Sequence, residues 1–219
     1  MSSLFRRKPK PLPLPPQPPP KAARSGRDIT PELIAWLDER IVRAYGNFPA
    51  PFQNKDPQGV FLVALEAMVG IREATNRNDG FEVSMIQDTI GGAINEAWCM
   101  SAQQSAVAYA EHHTGRKSLL YPSEHCMTTW RKSPESMRIP VEKIRPGDIL
   151  ILNHQGSDSG HVWALRARIK GSRIETLEGN TTQGIENEVI VREGGGFYIC
   201  RRNMNGEGNM VAIGWLRPF

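Results

Sequence analysis

The sequence predicts an α+β fold, with helices in the first part of the chain and an antiparallel sheet in the second. Up to about residue 131, apolar residues recur at the spacing of one helix face. From residue 149 onwards, the chain consists of short strand-like runs separated by turns that contain glycine and asparagine. Helices followed by strands are typical of a single α+β domain, and no internal repeat is visible.

The first helix is predicted from Pro31 to about Tyr45, because Thr30 is a suitable N-cap and proline is favoured at the first helical position. A loop rich in proline and asparagine, Gly46 to Pro57, ends this helix. Further helices are predicted over Gln58 to about Ala74, Val83 to Ile90, Ser101 to His113 and Ser123 to Arg131.

The second half of the chain predicts strands rich in β-branched and aromatic residues. They are Ile149 to Leu152, His161 to Ile169, Arg173 to Leu177, Glu188 to Val191, Phe197 to Arg201 and Val211 to Leu216. Gly194 to Gly196 is interpreted as a hairpin turn, since a phosphate-binding loop would need a helix after it.

Residues 1–27 form a basic, proline-rich arm, which favours an extended polyproline-II conformation. The folded domain is therefore expected over residues 28–219, with a helical lead-in at 28–95 and a core at 96–219. The net charge is +4, and much of the positive excess lies in the arm. That charge suits nucleic acid, acidic lipid, an anionic cell-wall polymer or a solvated tail, and charge alone does not choose among them. Of these partners, nucleic acid is not our expectation. One hypothesis is that the arm docks the protein on a partner.

Cysteine usage and hydropathy exclude several classes of protein. Cys99, Cys126 and Cys200 are too few and too scattered for a disulfide framework, and no Cys-x-x-Cys pair suggests zinc. No apolar run approaches the roughly 20 residues of a membrane-spanning helix, and no apolar signal-peptide region follows Met1. We expect a protein that is made in the cytoplasm, has no membrane span, and uses neither metal nor cofactor.

Cys99 is the first candidate for chemistry, because an apolar lead-in ends at Trp98-Cys99 and a helical run follows at once. A thiol at a helix N-terminus is favoured as thiolate by unpaired backbone N–H groups and by the helix dipole. The backbone N–H of Cys99 is also placed to help bind an oxyanion. Considered alone, a buried cysteine acting as a small apolar side chain explains the pattern as well.

His161 supplies the imidazole that a cysteine nucleophile needs. In an extended strand His161, Trp163 and Leu165 share one face, which we expect to look toward the helices. Glu178 and Asn180 would likewise share one side of the next strand and hold the imidazole in the required tautomer.

Three further side chains are expected to contact substrate: Trp98, His154 and Trp163. His154 lies in the chain shortly before His161, in or next to a polar loop, and a surface position is the alternative. His125-Cys126 has no second ligand pair nearby in the sequence, so a metal site is not expected there.

The order of these motifs resembles the CHAP family of cysteine, histidine-dependent amidohydrolases/peptidases, within the papain-like, NlpC-type peptidoglycan hydrolases. The matching motifs, in chain order, are Trp98-Cys99, Gly147-Asp148, Gly160-His161-Val162 and Glu178-Gly179-Asn180. Upstream, a helix ending in Gly70-Ile71-Arg72-Glu73 and a turn at Asn78-Asp79-Gly80 are similar to family members. The resemblance spans roughly residues 58–184.

The resemblance implies that Cys99 is the nucleophile, His161 the general base, and Glu178 with Asn180 the supporting polar pair. It implies a papain-like fold, with the nucleophile at the N-terminus of a helix packed on the sheet. The implied substrate is peptidoglycan, cleaved at an amide bond of the peptides or between muramic acid and alanine. Such enzymes are common in phage lysins and virion-associated proteins, acting at the cell wall or carried in a particle.

The chain departs from the family pattern beside the cysteine. Ala97 stands where proline is usual, Met100 where a small residue is usual, and Gln103 and Gln104 where the helix face is usually apolar. Two other hypotheses are kept. One is a structural component of a virion or secretion apparatus, docked by its arm, with weak or vestigial activity. The other is a papain-like protease or acyltransferase that acts on proteins.

Overall fold

The computed structural model describes residues 26–155, 157–182 and 195–219. Within these ranges the helices come first and a seven-stranded sheet follows, in which every strand pairing is antiparallel. The predicted α+β class is therefore confirmed. No helix among the described residues combines the length and the apolar character that crossing a bilayer requires.

The helices are α1 (Pro31–Tyr45), α2 (Ala50–Gln53), α3 (Pro57–Met68), α4 (Phe81–Asp88), α5 (Cys99–Thr114) and α6 (Cys126–Lys132). Helix α1 begins as predicted, because the Thr30 side chain accepts a hydrogen bond from the Leu33 backbone N–H and proline follows the cap. The chain leaves α1 through Gly46, which has a left-handed φ of 76°. The predicted loop before α3 contains the short helix α2.

Helix α3 is shorter than predicted, since it ends at Met68 and not near Ala74. Gly70 has a φ of 92°, and the chain beyond it is extended. There Gly70 donates to the Phe197 carbonyl and Phe197 to the Ile71 carbonyl, and Arg72 forms a β-bridge with Gly196. Residues 70–73, expected to end a helix, thus extend the edge of the sheet.

The strands are β1 (Arg138–Ile139), β2 (Ile149–His154), β3 (Gly160–Lys170), β4 (Arg173–Thr181), β5 (Gly196–Asn203), β6 (Gly206–Glu207) and β7 (Met210–Leu216). Their order across the sheet is β1-β7-β2-β3-β4-β5, and β6 pairs with β7. The longer strands contain the predicted segments, whereas β1 and β6 were not predicted. The predicted strand at Glu188 to Val191, and Gly194 of the predicted turn, lie outside the described residues.

Alternation along β3 separates two apolar clusters, because successive side chains of a strand point to opposite faces. Val162 and Ala164 belong to the cluster that contains the buried residues of the helices. Trp163 and Leu165 belong to a smaller cluster with residues of β2, β4 and β7. The prediction that Trp163 and Leu165 face the helices is therefore wrong, because the sheet buries an apolar cluster on each side.

Helix α5 lies at the centre of the helical layer, packed against α3 and against strands β3 and β4. All of its residues except His112 and His113 are buried. The side chains of Ala102, Ala106 and Ala110 recur along one face and are small enough for neighbouring elements to approach closely. The residue at the N-terminus of α5 is therefore fixed by the core itself.

Arg27 is part of the folded domain, although residues 1–27 were predicted as an arm. Its guanidinium bonds the Glu111 carboxylate and the Gln104 side chain at 2.9 Å each, and also the Leu120 carbonyl. Both charged side chains are 7% exposed. A buried guanidinium needs a charged partner, so the boundary lies before Arg27. Residues 1–25 lie outside the described part of the chain.

Candidate active site

Helix α5 begins at Cys99, which confirms the predicted place of the thiol at a helix N-terminus. The Trp98 carbonyl accepts the first helical hydrogen bond, from the backbone N–H of Ala102. The N–H groups of the first turn consequently have no partner within the helix. The Cys99 side chain is 5% exposed and lines a cleft.

Trp98 is fully buried, with its indole Nε1 donating to Oε1 of Glu73 at 2.9 Å. It therefore supports the residue next to it and does not offer a surface to substrate, contrary to our prediction. The other carboxylate oxygen of Glu73 accepts from the backbone N–H of Asn78 at 2.9 Å. This is the structural role of the upstream segment: Glu73 fixes the Trp98 ring directly before Cys99.

His161 lies near the start of β3 and its imidazole contacts the Cys99 thiol. The residue before it must be glycine, because a Cβ at Gly160 would lie 2.3 Å from the Leu152 carbonyl oxygen of β2. The close approach of β2 and β3 sets the position of the imidazole. The His161 residue as a whole is 8% exposed. The predicted pairing of Cys99 with His161 is present in the structure.

Glu178 of β4 is the carboxylate that faces His161. Its Oε2 lies 3.5 Å from Nε2 of His161, an ion-pair distance, and Nε2 has no hydrogen-bond partner within the described residues. Because Nε2 is directed toward Glu178, Nδ1 is the nitrogen left to face Cys99. Glu178 itself is fully buried, so its charge acts in a site that excludes water.

Arg202 of β5 holds the Glu178 carboxylate at two points. Its Nε donates to Oε1 and its Nη2 to Oε2, both at 2.9 Å, and the Thr176 hydroxyl also donates to Oε1. The Arg202 guanidinium is buried as well, and it lies 5.6 Å from the centre of the Trp163 ring. The carboxylate is therefore fixed between a cation on one side and the imidazole on the other.

The charges of this row of residues favour ionised forms. Burial alone would raise the pKa of Glu178, but His161 and Arg202 lower it to about 2. Burial alone would lower the pKa of His161, but Cys99 and Glu178 raise it to about 9. The structure therefore favours an imidazolium at neutral pH, with an ionised carboxylate behind it.

The Cys99 thiol is correspondingly acidic. A hydrogen bond from Cys126, the His161 imidazole and the Met100 backbone N–H hold its pKa well below the usual range, although burial acts in the opposite direction. The two sulfur atoms of Cys99 and Cys126 are 3.8 Å apart. The hydrogen bond with Cys99, burial and the charge on Cys99 raise the pKa of Cys126. These directions favour Cys99 as the thiolate of the pair and Cys126 as the hydrogen-bond donor.

The cleft beside Cys99 has a volume of about 370 Å³. It is lined by Asn78, the segment before α5 (residues 95–97), the segment before α6 (124–126) and the start of β3 (158–160). Glu96, Glu124 and Asp158 line it, whereas no lysine or arginine is among its described lining residues. Although the whole chain is basic, the cleft carries acidic side chains.

The remaining predicted site residues lie elsewhere. Trp163 is fully buried in the cluster on the far side of the sheet, so it cannot contact substrate as predicted. His154 is half-buried and does not line the cleft. The histidine among the lining residues is His125. Asn180 is buried with a φ of 53°, and the β4–β5 register shifts between Glu178 and Thr181. The extended geometry that would have placed Asn180 beside Glu178 is therefore absent.

The unusual residues beside Cys99 have structural roles. Met100 is fully buried in the core and does not enter the cleft. Gln104 donates to the Tyr121 carbonyl at 2.9 Å and the Ser123 carbonyl at 3.2 Å, while Gln103 donates to the Leu177 carbonyl at 3.4 Å. The two amides thus join α5 to the connector before α6 and to β4.

Asp148 of the Gly147-Asp148 motif is also structural. Its carboxylate is fully buried and takes two hydrogen bonds of 2.8 Å from Arg217, near the C-terminus of the chain. Gly147 has a φ of 88°, which glycine adopts without strain. This motif therefore fixes the start of β2 and not the reacting groups. Within the described residues, no group of three or more histidine, cysteine or acidic side chains could hold a metal ion.

Cys126 and Arg202 are the site residues that sequence reasoning missed. Arg202 carried a signal only through its spacing, since it stands two residues after Cys200 and so shares one side of an extended strand with it. A charged residue in the inward row of a strand indicates a buried counter-ion. Cys126 carried no such signal, because the irregular connector between α5 and α6 gives no spacing from which its distance to Cys99 follows.

Comparison with known proteins assigns no family: no protein-family model matches the chain, and no curated protein is detectably similar in sequence.

Proposed function

We propose that this protein is a papain-like cysteine hydrolase of CHAP type that cleaves an amide bond in peptidoglycan. The observation that carries the proposal is the contact of three groups in a row. They are the Cys99 thiol at the N-terminus of α5, the His161 imidazole, and the buried Glu178 carboxylate 3.5 Å beyond it. Each of these types of group is needed for acyl transfer by a thiolate.

In acylation, the Cys99 thiolate attacks the carbonyl carbon of the scissile amide and forms the carbon–sulfur bond. The backbone N–H of Cys99 is placed to donate to the oxyanion that develops. The imidazolium of His161 then gives its proton to the amide nitrogen, the carbon–nitrogen bond breaks, and the amine leaves. A thioester on Cys99 and a neutral imidazole remain.

In deacylation, His161 removes a proton from a water molecule, which attacks the thioester carbon. The carbon–sulfur bond breaks, and the carboxylic acid product leaves. The imidazole keeps the proton that it took from water and Cys99 leaves as thiolate, so the starting ion pair is restored and the cycle consumes one water. Glu178 and Arg202 are positioning residues, because they act through the imidazole and do not touch the reacting atoms.

Peptidoglycan is favoured as the substrate by the order of the motifs in the chain. The acidic lining of the cleft adds support, since a stem peptide carries free amino groups that carboxylates can bind. The protein would be made in the cytoplasm and act at the cell wall or from a particle, as phage lysins and virion-associated hydrolases do. The basic, proline-rich arm before Arg27 would then dock it on a virion or tail protein.

Digestion of purified cell walls, followed by mass spectrometry of the released muropeptides, tests the activity and identifies the bond. We expect Cys99→Ala and His161→Ala each to remove nearly all of the release, with circular dichroism showing that both fold. Cys200→Ser is the matched control, since Cys200 is buried in β5 and does not line the cleft. Full activity of either variant would contradict the proposed site.

The same samples separate the other hypotheses. Cleavage of denatured proteins, with no release of muropeptides, would favour a papain-like protease. Inactivity of the folded wild type on both substrates would favour a structural component with vestigial chemistry. Deletion of residues 1–26 tests the docking role, because unchanged incorporation into particles would exclude it.

A further inference from the structure

Cys99 and Cys126 form a pair of neighbouring thiols in the cleft. Their sulfur atoms are 3.8 Å apart, and each cysteine is the first residue of a helix, α5 and α6 respectively. Both side chains line the same cleft, although each residue is at most 5% exposed. Cleavage of an amide needs Cys99 and His161 but no second thiol, so the bond-making and bond-breaking steps described above make no use of the Cys126 sulfur beyond its hydrogen bond with Cys99.

The two thiols are chemically unequal. The pKa of Cys99, beside His161, lies well below its usual range, whereas the pKa of Cys126 lies above it, so Cys99 is the group favoured as thiolate. The thiolate is the form that attacks an oxidant. A neighbouring protonated thiol is the form that can supply a proton to a leaving group. Redox-sensing cysteines are acidic, reachable and often placed beside a second thiol that resolves the oxidised product.

We propose that Cys126 is a resolving cysteine, which captures oxidised Cys99 as an intramolecular disulfide and so makes the site reversibly sensitive to hydroperoxides. The disulfide follows from the geometry of the pair alone. The accompanying loss of hydrolysis rests on the proposed function, since a disulfide removes the nucleophile.

The reaction balances with a hydroperoxide as the oxidant. The Cys99 thiolate attacks the terminal oxygen, the oxygen–oxygen bond breaks, and Cys99 becomes a sulfenic acid while the leaving oxygen takes up the proton of the His161 imidazolium. The Cys126 sulfur then attacks the Cys99 sulfur, the sulfur–oxygen bond breaks, and water leaves with the thiol proton. With hydrogen peroxide, two thiols give up two electrons and two protons, and two molecules of water form.

The disulfide is within reach of the two side chains. The sulfur atoms must approach from 3.8 Å to about 2.05 Å. Cys99 is anchored by α5 and by Trp98, so the movement falls to Cys126. Residues 115–125 before it form no helix or strand, and α6 has only 7 residues, so this side of the pair can adjust.

The consequence for the protein is protection against irreversible oxidation. A sulfenic acid with no resolving thiol proceeds to sulfinic and sulfonic acids, which thiols do not reduce. A disulfide is restored by thiol exchange. The cleft would therefore lose its nucleophile under oxidising conditions and regain it on reduction.

The test uses the full-length protein, reduced, freed of reductant and treated with one equivalent of hydrogen peroxide. We expect the intact mass to fall by two hydrogen atoms, and peptide mapping to find Cys99 and Cys126 in one cross-linked peptide. Both thiols should then resist alkylation until dithiothreitol is added. Cys200→Ser is the matched control and should cross-link as the wild type does.

Cys126→Ser should not cross-link, and Cys99 should instead be trapped by dimedone as a sulfenic acid. A wild type that gives dimedone-labelled or sulfinic Cys99 without the cross-linked peptide would overturn the proposal, whether or not Cys126→Ser folds. The wall-digestion assay on the reduced protein is read separately. A disulfide in a protein that does not release muropeptides would refute the proposed function and leave this inference standing.

Discussion

Arg202 and Glu178 form a two-point ion pair in which both side chains are buried, at 3% and 0% exposure. Burial would lower the pKa of Arg202, but the Glu178 carboxylate raises it above its ordinary value. Both the Arg202 guanidinium and the Glu178 carboxylate are therefore charged. Oε2 of Glu178 faces the imidazole and also accepts a hydrogen bond from Nη2 of Arg202. The position of the guanidinium therefore determines where His161 meets its carboxylate.

Removal of the cation should be costly. Arg202→Met leaves the Glu178 charge buried without its main partner, and we expect a loss of about 3–5 kcal/mol in the free energy of unfolding. The measurement is urea denaturation of the full-length protein at neutral pH. Arg201→Met is the matched control: Arg201 is the next residue and also approaches a glutamate, but it is 70% exposed, so we expect a change within about 1 kcal/mol. Equal losses in the two variants would contradict the role given to Arg202.

The pH profile of hydrolysis should report the charge of Glu178. The reactive thiolate–imidazolium form is lost as the pH rises through the His161 pKa of about 9. Glu178→Gln removes a charge that raises this pKa, so the alkaline limb of kcat/KM should move to lower pH. We expect the maximum rate to fall by less than about a hundredfold, because general acid–base catalysis contributes about 10²–10⁴ in total.

The control for the pH profile is Glu175→Gln. Glu175 lies on the same strand as Glu178, but its carboxylate pairs with Arg166 at 2.9 Å. Its profile should coincide with that of the wild type. An alkaline limb that stays in place in Glu178→Gln would mean that Glu178 does not act through the imidazole.

Glu73 should affect both stability and hydrolysis through Trp98. Glu73→Ala leaves the buried indole N–H without its acceptor, which costs about 1–3 kcal/mol, and loosens the residue before Cys99. Glu73→Gln keeps an oxygen acceptor and should retain most of both properties. Urea denaturation and the rate of muropeptide release measure the two effects. Wild-type rates for folded Glu73→Ala would show that the Trp98 contact does not position the thiol.

Gly160 should tolerate no side chain. The Cβ of Gly160→Ala would lie 2.3 Å from the Leu152 carbonyl oxygen, so β3 must move away from β2 and carry His161 with it. We expect a loss of roughly 1–3 kcal/mol in the free energy of unfolding. The hydrolysis rate should fall by a larger fraction of its wild-type value than the free energy of unfolding does. Gly26→Ala is the control, because an added Cβ there meets nothing within 4 Å. A Gly160→Ala protein as stable and active as that control would contradict this account.

The sequence was sufficient for most of the longer elements and for the centre of the site. Thr30-Pro31 marks the start of α1, and Cys99 begins α5 as expected. Cys99, His161 and Glu178 were predicted as one group, and the structure brings them together. They could be predicted because each lies at or near the start of an element or in the alternating pattern of a strand, where local rules apply.

The errors arise where tertiary contacts override local rules. Trp98 and Trp163 were assigned to substrate by their nearness in sequence to Cys99 and His161, yet the core buries both. Asn180 was placed beside Glu178 on the assumption of an extended chain, and the left-handed residue itself breaks that extension. The distance between Cys99 and Cys126 depends on an irregular connector, whose path no periodicity describes.

Because α5 is enclosed by the core, its backbone amides and its Cys99 thiol should react with solvent on very different time scales. Apart from His112 and His113 its residues are buried, so its central amides can exchange hydrogen with deuterium only when the whole domain opens. The sulfur of Cys99, at the end of the same helix, faces a cleft that small molecules can enter. We therefore expect one helix to join a backbone that exchanges very slowly to a thiol that small reagents reach, with the rigidity of the helix keeping that thiol beside His161.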